Sequence, residues 1–454
     1  MDPSPATPLS RRRMLHSSLA GFGSVALSGL LAEEARAEAG PALPHFPAKA
    51  KRVILLFMQG GVSHLDTFDH KPRLNADQGK TWEAGPSKVL GSPWKFSQHG
   101  QSGQWISNLF PQIAEHADDL CVLTAMHTDQ QAHSTAVPKF HTGEALRVRP
   151  SLGAWTVYGL GSESRNLPGF IGMNPLRTIG GQNHGSAFLP ASFQATMIRA
   201  DQAGKGGEVL PDITPKHVSG AQQQLQLDLV RRLNGRRLEQ EKVNPELEGV
   251  IHAQEMAFRM QTAVPKLIDL SRESATALQR YGVGPSATDR FARQCLLARK
   301  FAEAGVRFIE IGTGGWDHHF DIHSLIAKSA RGVDQPISAL LTDLKRTGML
   351  DETLVIWAGE FGRTPFSQGT DGRDHNNRAF TIWLAGGGVK AGFRHGVTDE
   401  FGREGVAGRV GIHDLHATIL RLIGLDHERL TYRYSGRDFR LTDVHGHVVN
   451  GIIA

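Results

Sequence analysis

Short, wholly apolar runs alternate along this chain with polar loops and with segments of helical period. Lys51–Met58 (KRVILLFM) is apolar without alternation, the pattern of a strand buried on both faces. Leu120–Thr124, Val306–Ile311, Thr353–Trp357 and Phe380–Leu384 repeat it, and Leu167–Met173 is a shorter version. Between them Trp105–His116, Ser151–Tyr158, Asp289–Ala304, Asp334–Thr347 and His413–Leu425 carry helical spacing. Ala221–Tyr281 is the longest helical stretch and predicts a helical insertion at about 215–285, in which Met256 and Met260 serve packing. Gly180–Thr214 and Tyr432–Gly446 read as loops. Strands alternating with helices predict an α/β fold, a mostly parallel central sheet with helices on both faces.

The apolar runs feed four polar islands: QGGVSHLDTFD at Gln59–Asp69, GTGGWDHH at Gly312–His319, AGEFGRTP at Ala358–Pro365 and GRDHNNR at Gly372–Arg378. A parallel sheet presents its chemistry in this way, in loops at the carboxyl ends of strands. The islands are dense in Asp, Glu and His, the side chains that hold divalent metals and support ester hydrolysis. Asp317 and His319 are spaced to chelate one ion, although an Asp at such a junction also serves as a helix cap. Glu360 ends an apolar strand, where a carboxylate needs a metal or a partner; Arg363 offers the pair. His375 reads as a ligand, with Asp374 as a further ligand or as its support. Asp66 and His64, two apart, face one way on an extended segment. His133 and Ser134 sit in a His-rich loop entering a helix, where Ser134 reads as a nucleophile or as an N-cap. Arg363, Arg378 and His318 are the candidates for holding an anionic group.

The N-terminus adds an address. Ser10–Leu15 (SRRRML), a modest apolar stretch over Ala20–Ala32 and Ala35-Arg36-Ala37 form the pattern of a twin-arginine export signal over residues 1–37. The apolar stretch is too short for a stable membrane span, so the expected product is periplasmic or extracellular after passage through the twin-arginine machinery. A linker follows over 38–50, and residues 51–454 form the main domain with its insertion. The net charge of +5 is dispersed, which argues against nucleic acid as a partner. The 2 cysteines, Cys121 and Cys295, lie in apolar surroundings and read as buried free thiols rather than a disulfide framework.

Together GGVSHLDTFD, GWDHH, GEFGRTP, GRDHN and DLHATIL resemble a secreted, sulfatase-like family of unknown function in the alkaline phosphatase superfamily. The resemblance spans nearly the whole mature chain and implies an alkaline phosphatase-like fold. It aligns Lys51–Met58 with the first strand, after which Gln59 stands where an Asp is usual and Asp66 substitutes. The segment His133–Gly143 matches the nucleophile loop but lacks the C-x-P-x-R or S-x-P-x-R pattern of formylglycine sulfatases. Asp317 and His319 match the middle ligand pair, and His375 the late histidine. Glu360 replaces an Asp and Phe361 replaces a ligand, while His413 and His416 fall on a helix that is structural in sulfatases. The implied activity is metal-dependent hydrolysis of a sulfate or phosphate ester, on a small molecule or glycan, with Zn²⁺ or Ca²⁺. A non-catalytic, metal-containing secreted binder of polysaccharide is the alternative.

Overall fold

The computed structural model describes residues 44–454, apart from 83–84, 175–180, 206, most of 211–244, and 285–286. The expected export signal and the start of the expected linker lie outside the described residues, as does much of the first half of the expected insertion.

A nine-stranded sheet forms the centre. Its strands are β1 (Arg52–Met58), β2 (Leu120–His127), β3 (Phe170–Met173), β4 (Thr196–Ile198), β5 (Phe308–Thr313), β6 (Thr353–Ala358), β9 (Phe380–Ala385), β10 (Arg394–His395) and β11 (Val410–Gly411). A separate hairpin, β7 (Gly362–Gln368) with β8 (Gly372–Asn376), links β6 to β9. The order across the sheet is β10-β2-β9-β6-β1-β5-β3-β4, with β11 also paired to β2. β9 runs antiparallel to both of its neighbours, and every other pair is parallel. The sheet is thus mostly parallel, as the unbroken apolar runs require.

β1 shows why these runs do not alternate. Ile54, Leu56 and Met58 face one buried layer, and Val53, Leu55 and Phe57 face the other. Each such side chain contributes about 1.5–3 kcal/mol by leaving water. The first layer is covered by α4 (Asp289–Glu303) and α5 (Ile322–Arg346), and the second by α1 (His133–Thr142), α2 (Leu152–Leu160) and α6 (Ile412–Leu422). α3 (Pro245–Ile268) is the longest described helix of the insertion, and a shorter one follows at Ala275–Tyr281. In the register, Met58 pairs with Thr313 and Phe57 with Ala358. The loops leaving β1, β5 and β6 therefore start at one level on the sheet's edge.

Several expectations change. Trp105–His116 is not one helix: Gln104–Ser107 is a strand paired with Phe96–His99, and Ile113–Asp119 is a 3-10 turn. Pro111 inside that segment removes a helical donor and clashes with the preceding turn. α5 begins at Ile322, well before Asp334, and runs through Gly332 and Pro336 because its apolar face is fully packed. The tail is no simple loop: Tyr432–Tyr434 and Arg437–Phe439 pair around Ser435-Gly436, whose φ values of 47° and 82° suit a two-residue hairpin turn. Residues of the linker are pinned to the domain, with Phe46 and Ala50 N–H donating to Gly424 and Leu422 carbonyls. Both cysteines are buried and free. Among the described residues no helix is long and apolar enough to cross a membrane.

Candidate metal centre

His133, Asp317, His319 and His375 each bring a nitrogen or oxygen to one point, all within 4.8 Å of one another. His133 is the first residue of α1, reached from β2. Asp317 and His319 lie on the loop from β5 to α5, and His375 is on β8. Gly60, just past β1, sits beneath this loop with φ +126°. A Cβ there would lie 2.5 Å from the Asp317 amide nitrogen, so only glycine permits the approach.

The outer nitrogens of the three imidazoles are all occupied. His133 Nδ1 meets Glu360 Oε1 at 2.6 Å, His375 Nδ1 meets the Gln131 carbonyl at 2.8 Å, and His319 Nδ1 meets the Gln368 amide oxygen. These partners accept, so each Nδ1 carries a hydrogen, and a ring in its neutral form, as a metal requires, turns its Nε2 lone pair inward. Asp317 Oδ1 lies 3.1, 2.8 and 3.4 Å from the Nε2 atoms of His133, His319 and His375. His319 Nε2 and His375 Nε2 are 2.9 Å apart. Two lone pairs at that distance repel unless a cation, proton or metal, lies between them. The set of three imidazoles and one carboxylate, braced from behind and with Asp317 45% exposed, fits a divalent metal with an open face. With no ion present, burial alone would lower the His133 pKa, but its bonds to Asp317 and Glu360 outweigh that and push it up to about 9. Burial would raise the pKa of Asp317, yet His133, His375 and Arg363 hold it far below the usual carboxylate range.

The other expected site residues take different places. Glu360 is fully buried and is not among the converging groups; its two oxygens accept from Gly60 N–H at 3.0 and 3.1 Å while Oε1 orients His133. Arg363 is buried with its fork spent. It donates to the carbonyls of Gly61 at 2.8 Å, Arg373 at 3.1 Å and Gly60, and to Asp317 at 2.5 Å, and so braces the carboxylate instead of waiting for an anion. Asp66 forms a wholly buried pair with Arg373 at 2.8 Å and accepts from Ser63 at 2.5 Å. His64 is buried against the Gly402 carbonyl at 2.7 Å. Neither Asp66 nor His64 reaches the cluster, because the turn His64–Thr67 folds both into the interior. Asp374 accepts from the His375 N–H at 2.8 Å, which supports its neighbour. His318 is buried beside Ser329, its pKa lowered to about 4 by burial and then by Arg363, and faces no open space. Arg378 lies outside, paired with Glu404 at 3.4 Å. Ser134 is exposed at the start of α1, with no described hydrogen bond to the cluster.

Sequence reasoning placed His133 in the site as a catalytic group, and the geometry brings it together with Asp317, His319 and His375 as a group that could hold an ion. It missed Gln368, Gln131 and Arg373. Gln131 acts through a backbone carbonyl, which no side-chain pattern announces, and Gln368 acts from the far end of a hairpin. Phe361 closes one wall, its ring 4.7 Å from His133 and 4.5 Å from His375.

Solved structures similar to this chain include the lipoteichoic acid synthase LtaP from Listeria monocytogenes, at 9% identity over 87% of this chain and 76% of that one, with a TM-score of 0.42. The PsFucS1 sulfatase from Pseudoalteromonas sp. shares 15% identity over 89% and 72%, with a TM-score of 0.35. An alkaline phosphatase superfamily protein from Vibrio parahaemolyticus shares 10% over 84% and 68%, with a TM-score of 0.38. No curated protein matches by sequence. The family described as "Protein of unknown function (DUF1501)" matches residues 50–453, and the chain belongs to that family.

Proposed function

We propose that this protein is a metal-dependent hydrolase of sulfate or phosphate esters. The observation that carries the reading is the convergence of three Nε2 atoms and one exposed carboxylate on one point, each ring fixed from behind by an acceptor. An imidazole-rich set suits a zinc-class ion; Ca²⁺ takes six to eight oxygens. Such an ion, when bound, polarises an ester and lowers the pKa of its water. The protein's own groups hold the geometry. Glu360 fixes the tautomer of His133, Arg363 holds Asp317, and the Phe361 ring keeps water from one side of the histidines. Ser134 has no tie to the cluster, so the reading assigns attack to water rather than to that side chain.

The alternative is a metal-containing binder that turns nothing over, and the saturation of Arg363 and Arg373 favours it, since neither guanidinium is free for an oxyanion. One experiment separates the two: metal content by elemental analysis, with turnover of aryl sulfates and phosphates, for wild type and His375→Ala. Hydrolysis reads as one bound ion with turnover, both lost in the variant. An ion without turnover of any ester leaves the binder, and no ion sinks both. Export by the twin-arginine route belongs to the same proposal and rests on Arg11-Arg12 and the Ala35-Arg36-Ala37 site. Replacing Arg11 and Arg12 by Lys should retain the protein in the cytoplasm on fractionation; undiminished export would refute the route.

A further inference from the structure

Beneath the metal centre lies a second group of titratable side chains that the proposed chemistry leaves unused. Glu310 sits in the middle of β5, buried, on the sheet face covered by α1. Its Oε1 lies 3.0 Å from His141 Nε2 and 3.1 Å from His184 Nε2. His141 Nδ1 lies 2.8 Å from the Val137 carbonyl, one turn back in the same helix. A carbonyl and a carboxylate only accept, so His141 donates through both nitrogens and stands as an imidazolium that neutralises Glu310. A buried carboxylate is tolerated when paired and hydrogen-bonded in this way.

The position of this group gives it a use. β5 continues into the loop that carries Asp317 and His319. α1 begins with His133, and His133, Val137 and His141 follow one another in i, i+4 steps, so the helix meets a carboxylate at each end of one row: Glu360 at His133 and Glu310 at His141. We propose that Glu310, with His141 and His184, is a positioning clamp that ties the strand delivering Asp317 and His319 to the helix delivering His133, and so sets the spacing of the metal ligands. The clamp touches no ligand and acts through the two elements alone; it rests on the metal-centre reading above. Groups that hydrogen-bond a ligand directly govern metal affinity by about 10–100-fold, and a clamp one step further back is expected at the low end of that range.

The test is a Co²⁺ titration of the metal-free full chain, read by visible absorbance beside thermal melting. Glu310→Gln should bind Co²⁺ about tenfold more weakly than wild type, with an altered absorbance band, because the ligands no longer close to the same spacing. His184→Gln should move in the same direction by less, and it carries the test should Glu310→Gln fail to fold. Asp334→Asn is the control. That buried carboxylate caps Gln112 and Ile113 N–H at 3.0 and 2.8 Å in the other apolar layer. Its loss should lower the melting temperature and leave Co²⁺ affinity and spectrum alone. A folded clamp variant that melts early yet binds Co²⁺ with wild-type affinity and spectrum overturns the clamp while the metal centre stands. Wild type that takes up no Co²⁺ overturns both.

Discussion

At the residue scale, the buried charges around the centre are paired with opposite charges. Asp66 and Arg373 are both fully buried, and Arg373 spreads its remaining donors over the Leu90, Thr364 and Gly91 carbonyls. Burial would raise the Asp66 pKa, and Arg373 brings it below the usual value. Glu310 behaves alike: burial raises, and His184 and His141 pull it well below its ordinary 4.5. His141 is shifted the other way, since Glu310 outweighs burial and raises it above 6.5. The signs fix a pH window. The depressed Glu310 gives stability present above about 4.5 and lost as pH falls; the raised His141 gives stability present below about 6.5 and lost as pH rises through its folded value. The clamp should therefore support the fold most strongly between about pH 4.5 and 6.5. Breaking a buried pair costs about 3–5 kcal/mol. Denaturant melts of Glu310→Gln against wild type across pH should show the gap widest in that window; a gap independent of pH would contradict the assignment of charge.

At the element scale, the β7–β8 hairpin brings the third and fourth islands together. It carries Arg363, Gln368, Arg373 and His375 on one ribbon, so a shift of its backbone moves a ligand, a brace and a buried ion pair at once. Gly372 is where it meets the ligand loop. A Cβ there would lie 1.7 Å from the His319 carbonyl oxygen and 2.0 Å from its carbonyl carbon, contacts no backbone can hold. Gly372→Ala should push the His319 loop from β8, reducing metal content at least tenfold and destabilising by more than the roughly 1 kcal/mol of an ordinary substitution. Elemental analysis of the folded variant decides, and a wild-type metal content would show the loop can yield. The hairpin also marks where sequence reading stopped. The buried strands β1, β6 and β9 were legible because a run such as RVILLFM has one reading, a strand covered on both faces. GRTPFSQ and GRDHN are polar and short, contain Pro365, and look like loops until their partner is known. Asp66 and His64 misled for a related reason: polar residues after a strand resemble ligands, and only the tertiary fold shows the buried Arg373 and the Gly402 carbonyl that claim them. The islands pointed to Asp317, His319 and His375 as one group, and these converge, but the arrival of His133 beside them depended on how α1 docks.

At the scale of the whole molecule, the four converging groups come from segments far apart in the chain, and the packed sheet, the hairpin beside it and the hydrogen bonds behind each side chain hold them in register. His133 arrives from the second strand, Asp317 and His319 from the fifth, and His375 from the hairpin before the antiparallel β9. An ion bound by all four would act as a cross-link between the two apolar layers, since α1 belongs to one and the loop from β5 leads into α5 of the other. Such an ion binds the folded chain and has no preformed site in the unfolded one, so it stabilises by mass action, about 2.7 kcal/mol when free metal is a hundredfold above its dissociation constant. Chelation should therefore lower the melting temperature of wild type by a few degrees, and Zn²⁺ should restore it. Asp317→Ala and His375→Ala should start near the chelated value and respond to neither treatment. The metal-free protein has its own difficulty at this point, with His319 and His375 nitrogens 2.9 Å apart and in need of a proton between them, so the benefit of the ion includes relief of that repulsion. A wild type whose melting ignores chelator and Zn²⁺ alike would mean that the three histidines and the aspartate are held together by protons and Arg363 alone, and the centre would then be a structural knot at the carboxyl edge of the sheet.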